Sequence, residues 1–305
     1  MIILDSLDKI SDRKTPFVLT IGNFDGVHLG HQKLLKSLKT DPRQNSLVTT
    51  FDPHPVEYFD VNKKFRKLFS TDDQNKQMER LGVDYLLRMK FDQGIATMSF
   101  EQFLSQFTNA LNVQRIVIGH DLKIGKDRGG DRFSIQAWCQ KAGINFEVIE
   151  PLAVDGQVIS STYIKTLVEE SNFDQVPKFL GRYYSVSGPV IHGDKRGRLI
   201  GFPTANLTCH RSLYVPNFGV YQTRTLWKNS KFDSITNVGK TPTFKTDDLV
   251  KIETHIFDFN TEIYGDEITV EFLKFVRSER KFSGIEEIKN QIGLDIASLG
   301  RKHQP

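Results

Sequence analysis

The chain has 305 residues, 38% of them hydrophobic and 26% charged. That composition belongs to a globular sequence, and at about 150 residues per domain the length fits two domains. The net charge of +4, from 41 basic and 37 acidic residues, suits anionic small ligands and falls short of a nucleic-acid binder's basic footprint. No apolar run approaches the roughly 20 residues of a membrane helix, and Met1-Ile2-Ile3-Leu4-Asp5 has no basic leader. Cys139 and Cys209 are far apart and outside any C-x-x-C pair, so neither a disulfide framework nor a zinc site is expected. The expected compartment is cytoplasmic, with no membrane and no nucleic-acid partner. Nothing in the sequence fixes an oligomeric state.

In chain order, Phe17-Val18-Leu19-Thr20-Ile21 reads as a strand, and Leu34, Leu35 and Leu38 follow at helical spacing. Leu47 to Phe51 is the next strand. A polar helical stretch from Asp72 to Leu81 precedes a short strand around Tyr85-Leu86-Leu87. Phe100, Phe103, Leu104 and Phe107 share one helical face, and Arg115 to Ile118 is a buried-strand pattern. A helix through Ile135 to Cys139 and a strand at Phe146 to Ile149 complete an alternating βαβα series. That order implies a parallel sheet covered by helices on both faces. After Gly181 the texture changes. Ile252, Thr254 and Ile256 alternate with Lys251, Glu253 and His255, and Ile268, Val270 and Phe272 alternate likewise. Such strands, with turn residues between them, predict an antiparallel sandwich or barrel. Ile285, Ile288 and Ile292 mark a closing helix.

The segment from Thr20 to His31 joins the first strand to the first helix. Gly22, Gly26 and Gly30 let backbone approach a ligand closely. His28 and His31 are three apart at a helix start, so both rings can point one way. A helix N-terminus offers N–H groups to phosphate, and two imidazoles can stabilise charge on a phosphate under attack. Thr50-Phe51-Asp52-Pro53-His54-Pro55 stiffens a loop at the carboxyl edge of the expected sheet. Gly119-His120-Asp121 ends another strand, and Lys126 to Asp131 reads as a flexible, charged loop. Ser160-Ser161-Thr162-Tyr163-Ile164-Lys165 opens a helix with hydroxyls and a cation; taken alone, that segment is better explained by ordinary helix capping.

The stretch from Gly188 to Leu207 is the richest. Glycines and bases between Gly193 and Gly201 make a mobile anion-binding loop. Thr204 and Asn206 supply hard oxygens that, with phosphate oxygens, suit Mg²⁺.

Two resemblances rest on these motifs. His28-Leu29-Gly30-His31 resembles the H-x-G-H signature of nucleotidyltransferases that adenylylate or cytidylylate small phosphates. Gly201-Phe202-Pro203-Thr204-Ala205-Asn206 resembles the G-x-P-T-A-N signature of riboflavin kinases. Phe218-Gly219-Val220-Tyr221, Asn237 to Phe244 and Glu253 to Phe259 resemble further segments of that family, and Leu273 to Phe282 its flavin-side flap. In this order the two halves resemble the prokaryotic bifunctional riboflavin kinase/FMN adenylyltransferase family, or FAD synthetases, over nearly the whole chain.

The resemblance implies a Rossmann-like α/β nucleotidyltransferase domain over residues 1–181 that joins AMP to FMN. It implies a small six-stranded antiparallel β-barrel with a C-terminal helix over 182–305 that phosphorylates riboflavin. ATP in the first domain would meet Gly22, Phe24, Asp25, Gly26, His28, His31, Asp121, Ser160, Ser161, Thr162 and Lys165. ATP in the second would meet Gly193, Arg198, Gly201, Pro203, Thr204 and Asn206, with Mg²⁺ on Thr204 and Asn206. Glu253 would be the catalytic base, His28 and His31 the other catalytic residues, and Arg277, Lys281 and Phe282 would face the flavin. Riboflavin, FMN and ATP are the implied substrates. Four positions depart from the family pattern: Leu122 and Ile124 where it has aromatics, and Tyr163 and Lys165 where it has arginines. All four lie in the first half. Three readings therefore stand: both activities, a kinase with a weakened adenylyltransferase, or a non-catalytic flavin-binding regulator.

Overall fold

The computed structural model describes residues 1–60, 65–193, 196–210, 212–240 and 249–301. They form two compact units: residues 1–65 with 70–160, and residues 66–69 with those from 161 onward. In the first unit the elements run β1 (Ile2–Leu4), β2 (Phe17–Ile21), α1 (Leu29–Ser37), β3 (Asn45–Asp52), α2 (Pro55–Phe59), α3 (Thr71–Arg80), β4 (Tyr85–Lys90), α4 (Gln93–Thr97), α5 (Phe100–Ala110), β5 (Val113–Gly119), α6 (Arg132–Ala142) and β6 (Asn145–Ile149), then the short hairpin β7 (Ala153–Val154) and β8 (Gln157–Val158). In the second they run α7 (Ser161–Glu169), α8 (Val176–Leu180), β9 (Tyr184–Pro189), α9 (Arg196–Leu199), β10 (Ala205–His210), β11 (Gly219–Trp227), β12 (Ser230–Lys240), β13 (Leu249–Ile256), β14 (Glu267–Ser278) and α10 (Ile285–Ser298).

The first unit is the expected α/β layer structure. Its sheet has the order β1-β4-β3-β2-β5-β6 and every pair is parallel. All five β2 residues are buried, because alternate side chains enter two different cores. Phe17, Leu19 and Ile21 join Phe103, Phe107 and Ile135 on one face. Val18 joins Leu34, Leu35 and Met78 on the other. The strand order turns in opposite directions from β2, towards β3 on one side and β5 on the other. Ligands of such sheets bind at the carboxyl ends of the strands flanking that switch point. Here those ends carry Gly22 and Gly119.

The second unit is a six-stranded antiparallel sheet in the order β10-β13-β12-β11-β14-β9. Ile191 just after β9 donates its N–H to Asn206 of β10 at 2.8 Å, so the sheet nearly closes into a barrel. On β13, Val250, Ile252, Thr254 and Ile256 point inward and are buried, whereas Lys251, Glu253 and His255 face outward. The interior holds hydroxyls as well as hydrocarbon. Thr223 lies 2.8 Å from Ser234 and 2.7 Å from Thr236, and Thr236 continues the chain to Thr254.

The segment before β9 is part of this barrel's packing. Phe173 is fully buried and stacks against Tyr184, Tyr221 and Phe272, with centroids 5.9, 5.5 and 5.4 Å away. Phe69 adds a tilted contact to Tyr184 at 5.3 Å. Truncating a buried phenylalanine typically costs about 3–5 kcal/mol. Phe173→Ala should lower the barrel's unfolding free energy, read from denaturant curves, by that order and leave the first unit's transition in place. A shift below about 1 kcal/mol would show that Phe173 only decorates the barrel.

Candidate active sites

The first site grows from the turn after β2. Phe24, Gly26 and Val27 all have positive φ (51°, 81° and 41°), in a left-handed region that β-branched valine seldom adopts. Their 3-10 turn delivers His28 to the N-cap of α1, where its Nδ1 accepts the His31 backbone N–H at 3.2 Å. An accepting Nδ1 carries no proton, so neutral His28 has its N–H on Nε2. The two imidazoles stack with centroids 3.6 Å apart and planes 14° apart. The expected parallel aim of the rings is therefore met by direct stacking. Phe24 packs edge-on against His31 at 5.2 Å. His31 Nδ1 is buried without a hydrogen-bond partner among the described residues, although other atoms of the residue reach solvent. Burial first, and the nearby His28 second, hold its pKa well below 6.5.

The glycines serve this side-chain packing. A Cβ at Gly22 would lie 3.1 Å from the Phe24 ring, and one at Gly30 would lie 3.3 Å from the His28 ring. Only Gly26 is required by its φ. Asp25 opens the 3-10 turn. Asp121, just past β5, is exposed, with His120 Nδ1 3.9 Å away.

Several segments differ from their sequence reading. His54 does not simply stiffen a loop. Its Nδ1 accepts the Val56 N–H, and Glu57 accepts the His54 N–H, closing a capping box on α2. The stretch from Lys126 to Asp131 is a built turn. Ile124 and Gly130 bridge each other, Lys126 donates to the Met98 carbonyl at 2.7 Å, and a Cβ at Gly130 would lie 2.4 Å from Phe100. Ile124 is buried in the core beside this turn, with Leu122 packed against it. The two aliphatic departures thus fill hydrophobic space.

Ser160 precedes α7, which buries Ile164, Leu167 and Val168. Ser161, Thr162 and Lys165 belong to the second unit by their contacts. Lys165 Nζ lies 5.1 Å from the Tyr214 ring centroid, and Tyr163 packs edge-on to Phe179 at 4.9 Å. Burial, ahead of the Glu169 charge, raises the Tyr214 pKa.

The second site surrounds a cavity of about 230 Å³ lined by Gly193, Arg198, Pro203, Thr204, Asn206 and Tyr264, among others. Five of the six residues expected at the kinase ATP meet here. The sixth, Gly201, follows α9 with φ 89°, which only glycine adopts readily. The expected mobile loop contains a turn of helix, α9. Asp194 and Lys195 lie outside the described residues, as do Thr241 to Phe244 of the expected N-x-G-x-x-P-T-F turn. A Cβ at Gly193 would lie 2.5 Å from the Asn206 amide, and one at Gly197 would lie 2.4 Å from the Phe202 carbonyl. These glycines admit close backbone approach.

Asn206 is 5% exposed. Its Nδ2 donates to the Thr204 carbonyl at 3.2 Å, and its Oδ1 is buried without a partner among the described residues. A buried carboxamide oxygen left in that state is suited to a hard cation. Strand register sets Asn206 on β10 and Asn237 on β12 opposite Glu253 on β13. Directly opposed residues project to the same face, so the three side chains form a row on the outward face of the sheet, with Asn206 covered.

Sequence reasoning missed Lys251, whose ammonium is 2.9 Å from the Glu253 carboxylate. Their i, i+2 spacing on one strand face was the available signal. It also missed His255, whose Nδ1 is 2.7 Å from the Pro203 carbonyl and so holds the residue before Thr204. Arg277, expected on the flavin side, has an ion-pair partner that the sequence did not reveal. Its guanidinium forks onto buried Asp295 of α10 at 2.8–3.0 Å. The Phe282 ring lies 5.8 Å from the Arg277 guanidinium, and Lys281 beside it is exposed.

Comparison with known proteins decides the family. Residues 10–163 match the family model of FAD synthetase, and residues 180–302 match that of riboflavin kinase. The bifunctional riboflavin kinase/FMN adenylyltransferase of Bacillus subtilis is 39% identical over 293 residues, covering 94% of this chain and 92% of that protein. Those of Haemophilus influenzae and Escherichia coli are 37% and 34% identical, each covering 91% of this chain and at least 90% of the relative. The chain belongs to the bifunctional riboflavin kinase/FMN adenylyltransferase family. Both catalytic domains are present, in the order expected from the sequence. A solved structure from Streptococcus pneumoniae named Macrolide-efflux Protein is also similar. It has a TM-score of 0.85 and 28% identity, and the match covers 96% of each chain. Among the described residues, no helix is long and apolar enough to cross a membrane.

Proposed function

We propose that the chain converts riboflavin to FMN and FMN to FAD, using ATP in two separate sites, with phosphorylation assigned to residues 182–305 and adenylylation to residues 1–181. The row Asn206–Glu253–Asn237 beside the Thr204 cavity carries the kinase assignment. Glu253 accepts the proton of the riboflavin 5′-hydroxyl as that oxygen bonds to the γ-phosphorus of ATP and ADP leaves. Lys251 holds the carboxylate, and His255 steadies Pro203 so that Thr204 and Asn206 keep their places. Mg²⁺ would be held by Thr204 and Asn206, where it supplies charge neutralisation for the phosphates. Gly193, Arg198 and Gly201 line the nucleotide's path. Lys281 and Phe282 flank the flavin, while Arg277 fixes the flap to α10 through Asp295.

In the first unit, an FMN phosphate oxygen attacks the α-phosphorus of ATP, and pyrophosphate leaves. His28 and His31 donate hydrogen bonds to the oxygens gaining charge. Because burial keeps His31 neutral, it acts as a hydrogen-bond donor rather than as a cation. Gly22, Phe24, Asp25 and Gly26 shape the turn, and Asp121 lies beyond the neighbouring strand. Ser160, Ser161, Thr162 and Lys165 are assigned to the triphosphate on the family resemblance alone, since the last three pack with the second unit. The substrates are small molecules and the compartment is the cytoplasm. Cys139 and Cys209 are buried and free, and burial raises the Cys139 thiol to about 11.

A second observation favours slower adenylylation than phosphorylation. Tyr163 and Lys165 stand where the family pattern has arginines, and both are engaged by aromatic rings. A lost charged hydrogen bond is worth roughly 1.5–3 kcal/mol, or about ten- to hundredfold. The test is incubation of the purified chain with riboflavin, ATP and Mg²⁺, followed by chromatography over time. FMN should accumulate before FAD, and chelation of Mg²⁺ should stop FMN formation. Unchanged riboflavin would sink the kinase assignment, and FMN without any FAD would sink the adenylylation.

A further inference from the structure

We propose that Gln74 and Arg88 are positioning residues for adenylyl transfer, fixing the backbone of the turn that carries His28 and His31. This rests on the assignment of those imidazoles to the transfer. The turn needs an external brace, because Phe24 and Val27 occupy a backbone region that their side chains disfavour. The brace comes from two directions. Gln32 of α1 donates its Nε2 to the Val27 carbonyl at 3.0 Å. Gln74 of α3 donates its Nε2 to two successive carbonyls, Asn23 at 2.9 Å and Phe24 at 3.1 Å. One carboxamide thereby uses both protons on the turn.

Arg88 of β4 determines which end of that carboxamide faces the turn. Its NH2 donates to Gln74 Oε1 at 3.2 Å and to Asn75 Oδ1 at 2.9 Å. A guanidinium has donors only, so the Gln74 oxygen must face Arg88 and the amide nitrogen must face the turn. Burial lowers the pKa of the half-buried Arg88 guanidinium, and the charges of Asp52 and Asp72 offset that only in part. The effect reaches the imidazoles through Phe24. Its ring lies edge-on to His31 and would touch any Cβ at position 22, so a shift of the Phe24 backbone moves the His31 ring. Neither Gln74 nor Arg88 is in the signature segment. They reach it only because α3 and β4 fold beside it.

The test uses the full chain with Gln74→Met, which keeps the side-chain length and removes the donors, alongside Arg88→Met, Arg88→Lys and His28→Ala. A misplaced catalytic group costs turnover, so kcat for FAD formation from FMN should fall about 10- to 100-fold in Gln74→Met. The KM values for FMN and ATP, the rate of riboflavin phosphorylation and the thermal midpoint should stay near wild type. Arg88→Lys keeps a donor for Gln74 Oε1 and should retain more kcat than Arg88→Met. If Gln74→Met does not fold, Gln74→Glu asks the same question at the same size, because an ionised carboxylate offers the two carbonyls no donor. Unchanged kcat in a folded Gln74 variant, or a loss confined to KM or matched by a lower thermal midpoint, overturns the proposal. If His28→Ala retains full FAD formation, the imidazole assignment itself fails. If His28→Ala loses it while Gln74→Met does not, only the positioning role fails.

Discussion

Glu253→Gln should lower riboflavin phosphorylation about 10²–10⁴-fold, the usual contribution of a positioned general base. The substitution is nearly isosteric, and Glu253 sits mid-strand with both ladder neighbours in place. The fold should therefore survive. An amide cannot accept the hydroxyl proton, and it leaves the Lys251 ammonium without the carboxylate now 2.9 Å away. Formation of FAD from supplied FMN should continue at the wild-type rate, because the proposed base serves the other reaction. Initial rates of FMN appearance measure the effect. Near-normal phosphorylation in the folded variant excludes Glu253 as the base.

His28→Ala should suppress FAD formation about 10²–10³-fold, the typical loss on removing one preorganised charge-stabilising donor. His31→Ala should act similarly, and riboflavin phosphorylation should persist in both. His28 has a second duty, since its Nδ1 caps α1, so His28→Asn should preserve the helix better than alanine does. His31 also links the site to pH. Its folded pKa is depressed by burial and by His28, whereas the unfolded chain titrates near 6.5. The unfolded state therefore binds a proton first as pH falls. The His31 contribution is fully present above about pH 6.5 and is lost as pH drops towards the folded pKa. Denaturant midpoints of wild type and His31→Gln should converge between about pH 7.5 and 5.5. Parallel curves would mean that His31 titrates alike in both states.

Both folds were legible because each leaves its own periodicity. Val18 and Leu19 enter opposite cores of a parallel sheet, so the β2 sequence is apolar throughout. Ile252, Thr254 and Ile256 face the barrel interior, so β13 alternates. The signature segments were legible because Gly22, Gly30, Gly193 and Gly197 each leave space for one particular neighbour. What stayed hidden depends on contacts between distant segments. Gln74 lies in a polar helix with no signature, and its two bonds to the turn exist only after α3 packs beside β2. Phe173 reads as an isolated aromatic in a connecting segment, yet it fills the barrel. The stretch around Lys126 reads as a charged, flexible loop because its bracing partners, Met98 and Phe100, are remote in sequence. The ion pair of Arg277 with Asp295 was hidden too, because 18 residues and a change from strand to helix separate the partners.

The central claim is that two chemically independent sites act in series through released FMN. Mixing Glu253→Gln with His28→Ala tests it most directly, with riboflavin, ATP and Mg²⁺ supplied and FAD measured by chromatography. Neither variant alone should make appreciable FAD from riboflavin, the first for lack of FMN and the second for lack of adenylylation. The mixture should restore FAD formation, with free FMN as the intermediate. If both variants are folded, each keeps its remaining activity and the mixture still makes no FAD, then the two reactions do not run through separable sites and the account is contradicted.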